Sequence, residues 1–81
     1  MLAKVYVTPK KAILDPQGKA ITNSLRTLHY NEVEDVRMGK YLELRLHGLS
    51  REQAQQRVEE MCRRLLANLV IEDFRFEIVE E

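Results

Sequence analysis

Cysteine, histidine and serine are scarce in this chain, which limits the chemistry it can support. The one cysteine is Cys62, and the two histidines are His29 and His47. They fall in different predicted elements, and their spacing resembles no zinc or copper site. A nucleophilic mechanism needs a serine or cysteine beside a histidine base, and Ser24, Ser50 and Cys62 lack such a neighbour in sequence. We therefore predict no metal site and no catalytic residue, and we interpret Cys62 as a buried, inert thiol.

An excess of one charge and a long apolar run are also missing. Thirteen basic residues balance thirteen acidic ones, so the net charge is zero. A neutral chain lacks the electrostatic footprint of non-specific binding to nucleic acid or to an anionic membrane. No segment approaches the roughly 18 apolar residues of a membrane span, and the N-terminus does not resemble a signal peptide. The composition predicts a cytoplasmic protein with no nucleic-acid or membrane partner.

Chain length sets a further limit. A domain of 81 residues buries about 60 to 65% of its unfolded surface, which leaves a modest core and little stability for a deep catalytic cleft. We predict a single domain over residues 1–81, and self-association or docking would supply additional buried surface.

Hydrophobic periodicity predicts the first half of the fold. Ala3, Val5 and Val7 alternate with polar residues, as in a half-buried strand. From Asp15 the period lengthens to that of an amphipathic helix. Its apolar face comprises Ala20, Ile21, Ser24, Leu25 and Leu28. Strands are predicted next over residues 33–38 and 41–47, joined around Gly39 and Lys40 as a hairpin. A register that keeps Arg37 off the leucine face requires a three-residue connection or a bulge.

The second half repeats the helix and strand. Ser50 begins a helix, with Gln53 in the reciprocal capping position, and Asn68 is a plausible stop. Its predicted buried stripe is Ala54, Val58, Met61 and Leu65. The last strand lies within residues 70–79. The order βαββαβ predicts an α+β fold, a ferredoxin-like plait with a four-stranded antiparallel sheet and both helices on one face.

RNA-recognition motifs share this strand order and stack bases on aromatic residues of the central strands. Tyr6 and Tyr41 occupy comparable positions, but the rest of that face is of mixed sign: Lys4, Glu43, Arg45, Arg75 and Glu77. Carboxylates repel phosphate, and opposite charges on adjacent strands favour ion pairs. The sequence therefore favours a protein contact, or scattered surface apolar residues, over RNA binding.

The start of the first helix contains an unexpected glycine. Asp15 is a good N-cap and Pro16 a good first residue, but Gly18 in the first turn costs roughly 1 kcal/mol relative to alanine. Two interpretations remain open. Gly18 is merely tolerated in the first turn, or its missing Cβ lets another backbone or a ligand approach the helix N-terminus.

Three stretches together resemble the PurS family, the small subunit of phosphoribosylformylglycinamidine synthase. They are LDPQGKAI at residues 14–21, VEDVRMGKYLEL at 33–44 and LLANLVIE at 65–72. The resemblance runs the length of the chain. One departure is Leu69, which stands where this family commonly has proline.

The resemblance implies a noncatalytic subunit. In that family a glutaminase subunit releases ammonia, a large synthetase subunit uses ATP to activate formylglycinamide ribonucleotide, and PurS holds the two together. The assembled complex is thereby implied to use ATP, magnesium and glutamine, with no cofactor bound by this chain alone. The family also implies a homo-oligomer, a dimer or tetramer.

The residues that match the family's stretches are candidate contacts with partners or with other copies. They are Asp15, Gln17, Gly18 and Lys19 in the first stretch, Arg37, Gly39 and Lys40 in the second, and Asn68 in the third. The resemblance does not fix their individual roles.

The alternative from another class is a regulatory domain of the ACT type. Such domains have the same βαββαβ order and bind amino acids at a dimer interface beside the first loop, where they would use Gly18 equally well.

Overall fold

A computed structural model describes residues 1–80. The elements are β1 (Leu2–Pro9), α1 (Pro16–Thr27), β2 (Lys40–Arg45), α2 (Arg51–Met61) and β3 (Glu72–Val79), and a π-helical turn over Cys62–Leu66 continues α2. The strands form one antiparallel sheet in the order β2-β1-β3. The predicted α+β class is confirmed.

The core lies between the sheet and α2. Ala3, Val5 and Val7 are fully buried on one side of β1, as the alternation predicted, and α2 contributes Ala54 and Val58. Ser50 caps α2 in the predicted way, because its hydroxyl accepts the Gln53 amide while the Gln53 side chain accepts the Ser50 amide. Burying these small aliphatic side chains stabilises the only core formed within residues 1–80.

The sheet has three strands, whereas four were predicted. Residues 33–39 belong to no strand, so the hairpin around Gly39 and Lys40 is absent and three strands remain. Apolar residues at 33, 36 and 38 do not keep the two-residue period of a strand. Side chains hold this segment instead: the Arg26 guanidinium donates to the carbonyls of Val33 and Glu34, each at 3.1 Å.

The predicted stripe of α2 is correct at its start and wrong at its end. Cys62 is buried as predicted, whereas Met61 is exposed and Leu65 is 81% exposed. The π-helical turn explains the difference, because the Ala67 amide bonds to the Cys62 carbonyl five residues back. The wider turn points Leu66 rather than Leu65 towards the core.

Helix α1 does not cover the sheet, which contradicts the prediction that both helices lie on one face. Among residues 1–80, no side chain in the core or packed against it comes from α1. Leu28 on its apolar stripe is 64% exposed. The radius of gyration is 16.1 Å, whereas a compact chain of this length has one of about 12 Å. The protomer is therefore elongated.

The face of the sheet opposite α2 carries aromatic rings and charges of both signs. The Tyr6 and Tyr41 rings lie 5.0 Å apart between centroids, and the Arg75 guanidinium lies 3.9 Å from the Tyr6 ring. Lys4 stands opposite both Glu43 and Glu77 in the register. The Tyr6 hydroxyl donates to the Glu77 carboxylate at 3.2 Å and the Tyr41 hydroxyl to the Glu43 carboxylate at 2.9 Å, so this face carries aromatic, cation–π and hydrogen-bonded contacts of its own.

Candidate functional site

All three sequence stretches meet at the end of β1. We call this region the β1 junction and define it as Lys10, Asp15, Gly18, Arg37, Met38 and Ile71. Hydrogen bonds link every one of these residues to another member of the junction. The junction joins the loop after β1, the N-terminus of α1, the segment before β2 and the turn before β3.

Asp15 is the acceptor at the centre of the junction. Its carboxylate accepts the Gly18 amide at 2.9 Å and the Met38 amide at 2.6 Å, and it lies 3.9 Å from the Arg37 guanidinium. Its side chain is only 11% exposed. The Met38 and Gly18 bonds, together with the Arg37 charge, lower the pKa of this carboxyl below its ordinary value. Asp15 therefore caps α1 and also ties down the segment before β2.

Gly18 is where that segment passes close to α1. A Cβ on Gly18 would lie 2.1 Å from the Val36 carbonyl oxygen and 2.8 Å from the Asp15 carboxylate. No side chain fits at that distance. Of the two interpretations of the sequence, the close approach of another backbone is therefore correct, and the backbone belongs to the same chain. Only glycine allows Val36 to pass here.

Arg37 holds the loop after β1. Its Nη2 donates to the carbonyls of Lys10 and Ile13, both at 2.8 Å, and Nη1 donates to Lys11 at 3.2 Å. One planar guanidinium thereby binds three carbonyls of this loop, of which that of Lys10 also accepts the Ile13 amide at 3.0 Å. The sequence placed Arg37 among the candidate contacts but gave no signal for this role, because an arginine that binds backbone leaves no pattern in its neighbours.

Gly39 provides a second close approach of backbone to backbone. A Cβ here would lie 2.2 Å from the Val7 carbonyl oxygen. The chain enters β2 at this point, where Lys40 pairs with Val7 in the antiparallel register. Lys40 itself is exposed. Gly39 is therefore required by the fold.

Asn68 shapes the turn before β3. Its side-chain Oδ1 accepts the Val70 amide at 3.1 Å, and its carbonyl accepts the amides of Ile71 and Glu72. The Glu72 carboxylate in turn accepts the Asn68 amide at 2.7 Å. The helical segment ends at Leu66, two residues before the predicted stop, and the Asx turn of Asn68 shapes the turn into β3.

Lys10 connects this turn to the rest of the junction and was missed by the sequence reasoning. Its amide donates to the Ile71 carbonyl at 2.9 Å, its carbonyl accepts from Arg37, and its ammonium lies 2.8 Å from the Asp73 carboxylate. Two of these contacts use backbone atoms of Lys10, and hydrogen bonds of backbone atoms leave no signal in a pattern of residue types.

Gln17 and Lys19 are brought to the same region but remain exposed. Lys19 lines a cleft of about 530 Å³ between α1 and its two flanking loops, together with Arg26, Glu34 and Arg37. The cleft carries both signs of charge, and its two arginines already bind carbonyls. Nothing in this arrangement resembles a nucleophile with its base.

The described residues offer little redox or metal chemistry. Between residues 1 and 80, no three metal-ligating side chains lie together, and neither helix has the length and apolar character of a membrane span. Burial raises the pKa of the Cys62 thiol, which disfavours the reactive thiolate. The hydrogen bonds of the β1 junction hold backbone segments in place.

Comparison with known proteins identifies the family. The family model described as PurS, phosphoribosylformylglycinamidine (FGAM) synthase, matches residues 2–80. The chain belongs to the PurS family. It is 52% identical over 77 residues to the phosphoribosylformylglycinamidine synthase subunit PurS of Bacillus subtilis (strain 168), which covers 95% of this chain and 90% of that protein.

Solved structures of PurS proteins share the fold. The B. subtilis PurS structure, in its C2 crystal form, matches with a TM-score of 0.87 and 51% identity over 98% of both chains. A chain from the structure of PurLQS from Thermotoga maritima matches with a TM-score of 0.83 and 28% identity, over 98% of this chain and 99% of that one. The elongated PurS protomer seen here is therefore close in shape to solved PurS chains.

The geometry at Gly18 predicts the sign of a substitution. Gly18→Ala would raise helix propensity by up to about 1 kcal/mol, but the clash with Val36 would cost about 1 to 3 kcal/mol in the manner of an overpacked core. We therefore expect Gly18→Ala to lower the free energy of unfolding, as measured by urea denaturation. Lys19→Ala, an exposed change in the same helix away from its apolar stripe, is the control and should leave stability within about 0.5 kcal/mol. A Gly18→Ala protein more stable than the wild type would contradict the close approach.

The lowered pKa of Asp15 predicts a pH dependence. A carboxyl whose pKa is depressed on folding contributes stability that is present above its ordinary value of 3.8 and is lost as pH falls through the folded pKa. The stability gap between wild type and Asp15→Asn should therefore be larger at pH 7 than at pH 3, as measured by urea denaturation. Asp35→Asn, at an exposed carboxylate nearby, is the matched control. A gap of equal size at both pH values would refute this role.

Proposed function

We propose that this PurS chain is a noncatalytic cytoplasmic subunit that bridges the glutaminase and the ATP-dependent synthetase of FGAM synthase. The observation that carries the proposal is the match to PurS over residues 2–80. The likeness to a chain of a PurLQS structure supports an assembly of three kinds of subunit. The junction supports a structural role, because its hydrogen bonds fix loops and leave no catalytic pair.

Bridging has a chemical purpose. Ammonia released at one active site and used at another must be shielded from water, because protonation to ammonium removes its nucleophilic lone pair and diffusion removes it altogether. A subunit that holds two enzymes in register can therefore raise turnover without contacting either substrate. The larger subunits would bind ATP, magnesium and glutamine. The assembled synthase would convert formylglycinamide ribonucleotide to its amidine.

Self-association is the second part of the proposal. The apolar stripe of α1, with Ile21 and Leu28 exposed, lies outside the core of its own protomer. On the helix side of the sheet, Leu42, Leu44 and Leu46 of β2 and the loop after it are only half-buried. A ferredoxin-like plait packs its first helix on this part of the sheet. We infer that α1 of one copy covers the leucines of another, so that two helices cover the same face of the sheet.

The elongated shape supports this exchange. A helix that is amphipathic but uncovered needs a partner, since its packing rather than its propensity stabilises it. Fully burying a leucine or isoleucine side chain contributes about 1.5 to 3 kcal/mol. Two reciprocal helices would therefore contribute enough to form a dimer and, by pairing of dimers, a tetramer.

The ACT-type alternative is less well supported. A ligand bound at the N-terminus of α1 would need the open space that a glycine can leave. At Gly18 that space is filled by the Val36 carbonyl and the Asp15 carboxylate of the same chain. Bridging requires no such space.

Activity of a reconstituted synthase tests the bridging role. The isolated chain should neither hydrolyse glutamine nor consume ATP. Added to the glutaminase and synthetase subunits, it should raise glutamine-dependent synthesis much more than synthesis from free ammonia. Equal stimulation by the two nitrogen sources would argue against ammonia transfer as the step that it supports.

Light scattering at known concentration tests the exchange of α1. The wild type should have the mass of a dimer or tetramer, and Leu28→Lys should weaken association at least tenfold, equivalent to about 1.4 kcal/mol, because it places a charge in the apolar contact. Asn23→Lys adds the same charge on the opposite face of α1 and should leave the mass unchanged. A monomeric wild type, or equal effects of both substitutions, would rule out this arrangement.

A further inference from the structure

The end of α2 exposes one leucine and buries the next. Leu65 is 81% exposed, whereas Leu66 is half-buried and packs against the core. The π-helical turn is the cause, because the Ala67 amide reaches back to the Cys62 carbonyl at 3.0 Å. Such a turn is rare and holds one residue more than an α-helical turn. The extra residue decides which leucine faces the core.

An α-helical end would make the opposite choice. At about 100° per residue, Leu65 lies within roughly 20° of Val58 around the helix, whereas Leu66 lies roughly 80° away. Val58 is fully buried. An uninterrupted α-helix would therefore place Leu65 in the core and expose Leu66. Each register buries one leucine and exposes the other, so the burial of apolar surface does not by itself choose between them.

The turn before β3 holds the chain in the π register. The Glu72 carboxylate accepts the Asn68 amide, and the Asn68 carbonyl accepts the Glu72 amide, both at 2.7 Å. The Asn68 side chain accepts the Val70 amide at 3.1 Å, and Ala67 before it is buried. An α-helical end would pass one residue from the helix into this turn. The added residue would disrupt these bonds and the packing of Ala67.

We propose that α2 ends in a two-register element, in which Leu65 and Leu66 are interchangeable core residues and the turn before β3 selects between them. The π register of the structure is one state, and an α register with Leu65 against Val58 is the other. Packed cores are bistable rather than continuously deformable, so the shift by one residue is a discrete step. It is coupled to the β1 junction, because the Ile71 carbonyl of this turn accepts the Lys10 amide.

Urea denaturation of the full chain at one protein concentration tests the interchange. Leu65→Ala should change the unfolding equilibrium constant by less than about twofold, because it truncates an exposed side chain. Leu66→Ala should raise the constant by less than about tenfold, because Leu65 takes its place in the core. The double variant has no leucine left for that place. Its unfolding constant should exceed the product of the two single effects by about tenfold or more.

Leu14→Ala is the matched control for Leu65→Ala, because Leu14 is 91% exposed and lies in the loop after β1. Its effect should simply add to that of Leu66→Ala. Additive effects of Leu65→Ala and Leu66→Ala would overturn the interchange. A Leu66→Ala chain that fails to fold would overturn it as well, because Leu65 would then be unable to replace Leu66.

Nuclear Overhauser contacts between methyl groups test the selection by the turn. Leu65 and Val58 should show no contact in the wild type. The contact should appear in Leu66→Ala and also in Asn68→Ala, which removes a side-chain hydrogen bond of the turn. Asn23→Ala, at an exposed asparagine of α1, is the control and should match the wild type. Absence of the contact in Asn68→Ala would overturn selection by the turn, and its absence in Leu66→Ala would overturn the two-register element itself.

Discussion

The ion pair and hydrogen bonds around Asp15 and Arg37 connect parts of the chain that share no core. Helix α1 projects from the protomer, so its position relative to the sheet depends on the loop after β1 and the segment before β2. Arg37 binds three carbonyls of that loop, while Asp15 binds the amides of Gly18 and Met38. Hydrogen bonds that involve a charged group are stronger than neutral ones, which suits them to a place where few apolar contacts are available.

Two glycines make this arrangement sterically possible. Gly18 lets the Val36 carbonyl pass over the first turn of α1, and Gly39 lets the chain enter β2 against the Val7 carbonyl. Asn68 and Lys10 then extend the same set of bonds to the turn before β3. The stretches that resemble PurS are therefore explained in large part by the fold, because Asp15, Gly18, Arg37, Gly39 and Asn68 each hold or admit a backbone segment. Any contact with a partner is made by the side chains that these bonds position.

Features that depend on local pattern were predictable, and features that depend on distant packing were not. The alternation in β1, the cap at Asp15 and the capping box at Ser50 follow from neighbours in sequence, and the structure contains all three. The prediction of a strand over residues 33–38 was wrong, because side chains from α1 and its N-cap hold that segment away from the sheet. The periodicity of α1 indicated an apolar face but could not show that its own protomer leaves the face uncovered. The π-helical turn at the end of α2 likewise has no signature in spacing.

Arg37 and Asp15 together hold the base of α1 and the segment before β2 as one unit. Amide hydrogen exchange of an Arg37→Lys variant tests it most directly, since lysine keeps the charge but loses the planar fork that binds several carbonyls. We predict faster exchange at Gly18 and Met38, with the amides that pair β1 to β3 exchanging as in the wild type. Unchanged protection at Gly18 and Met38 would show that the junction does not depend on Arg37.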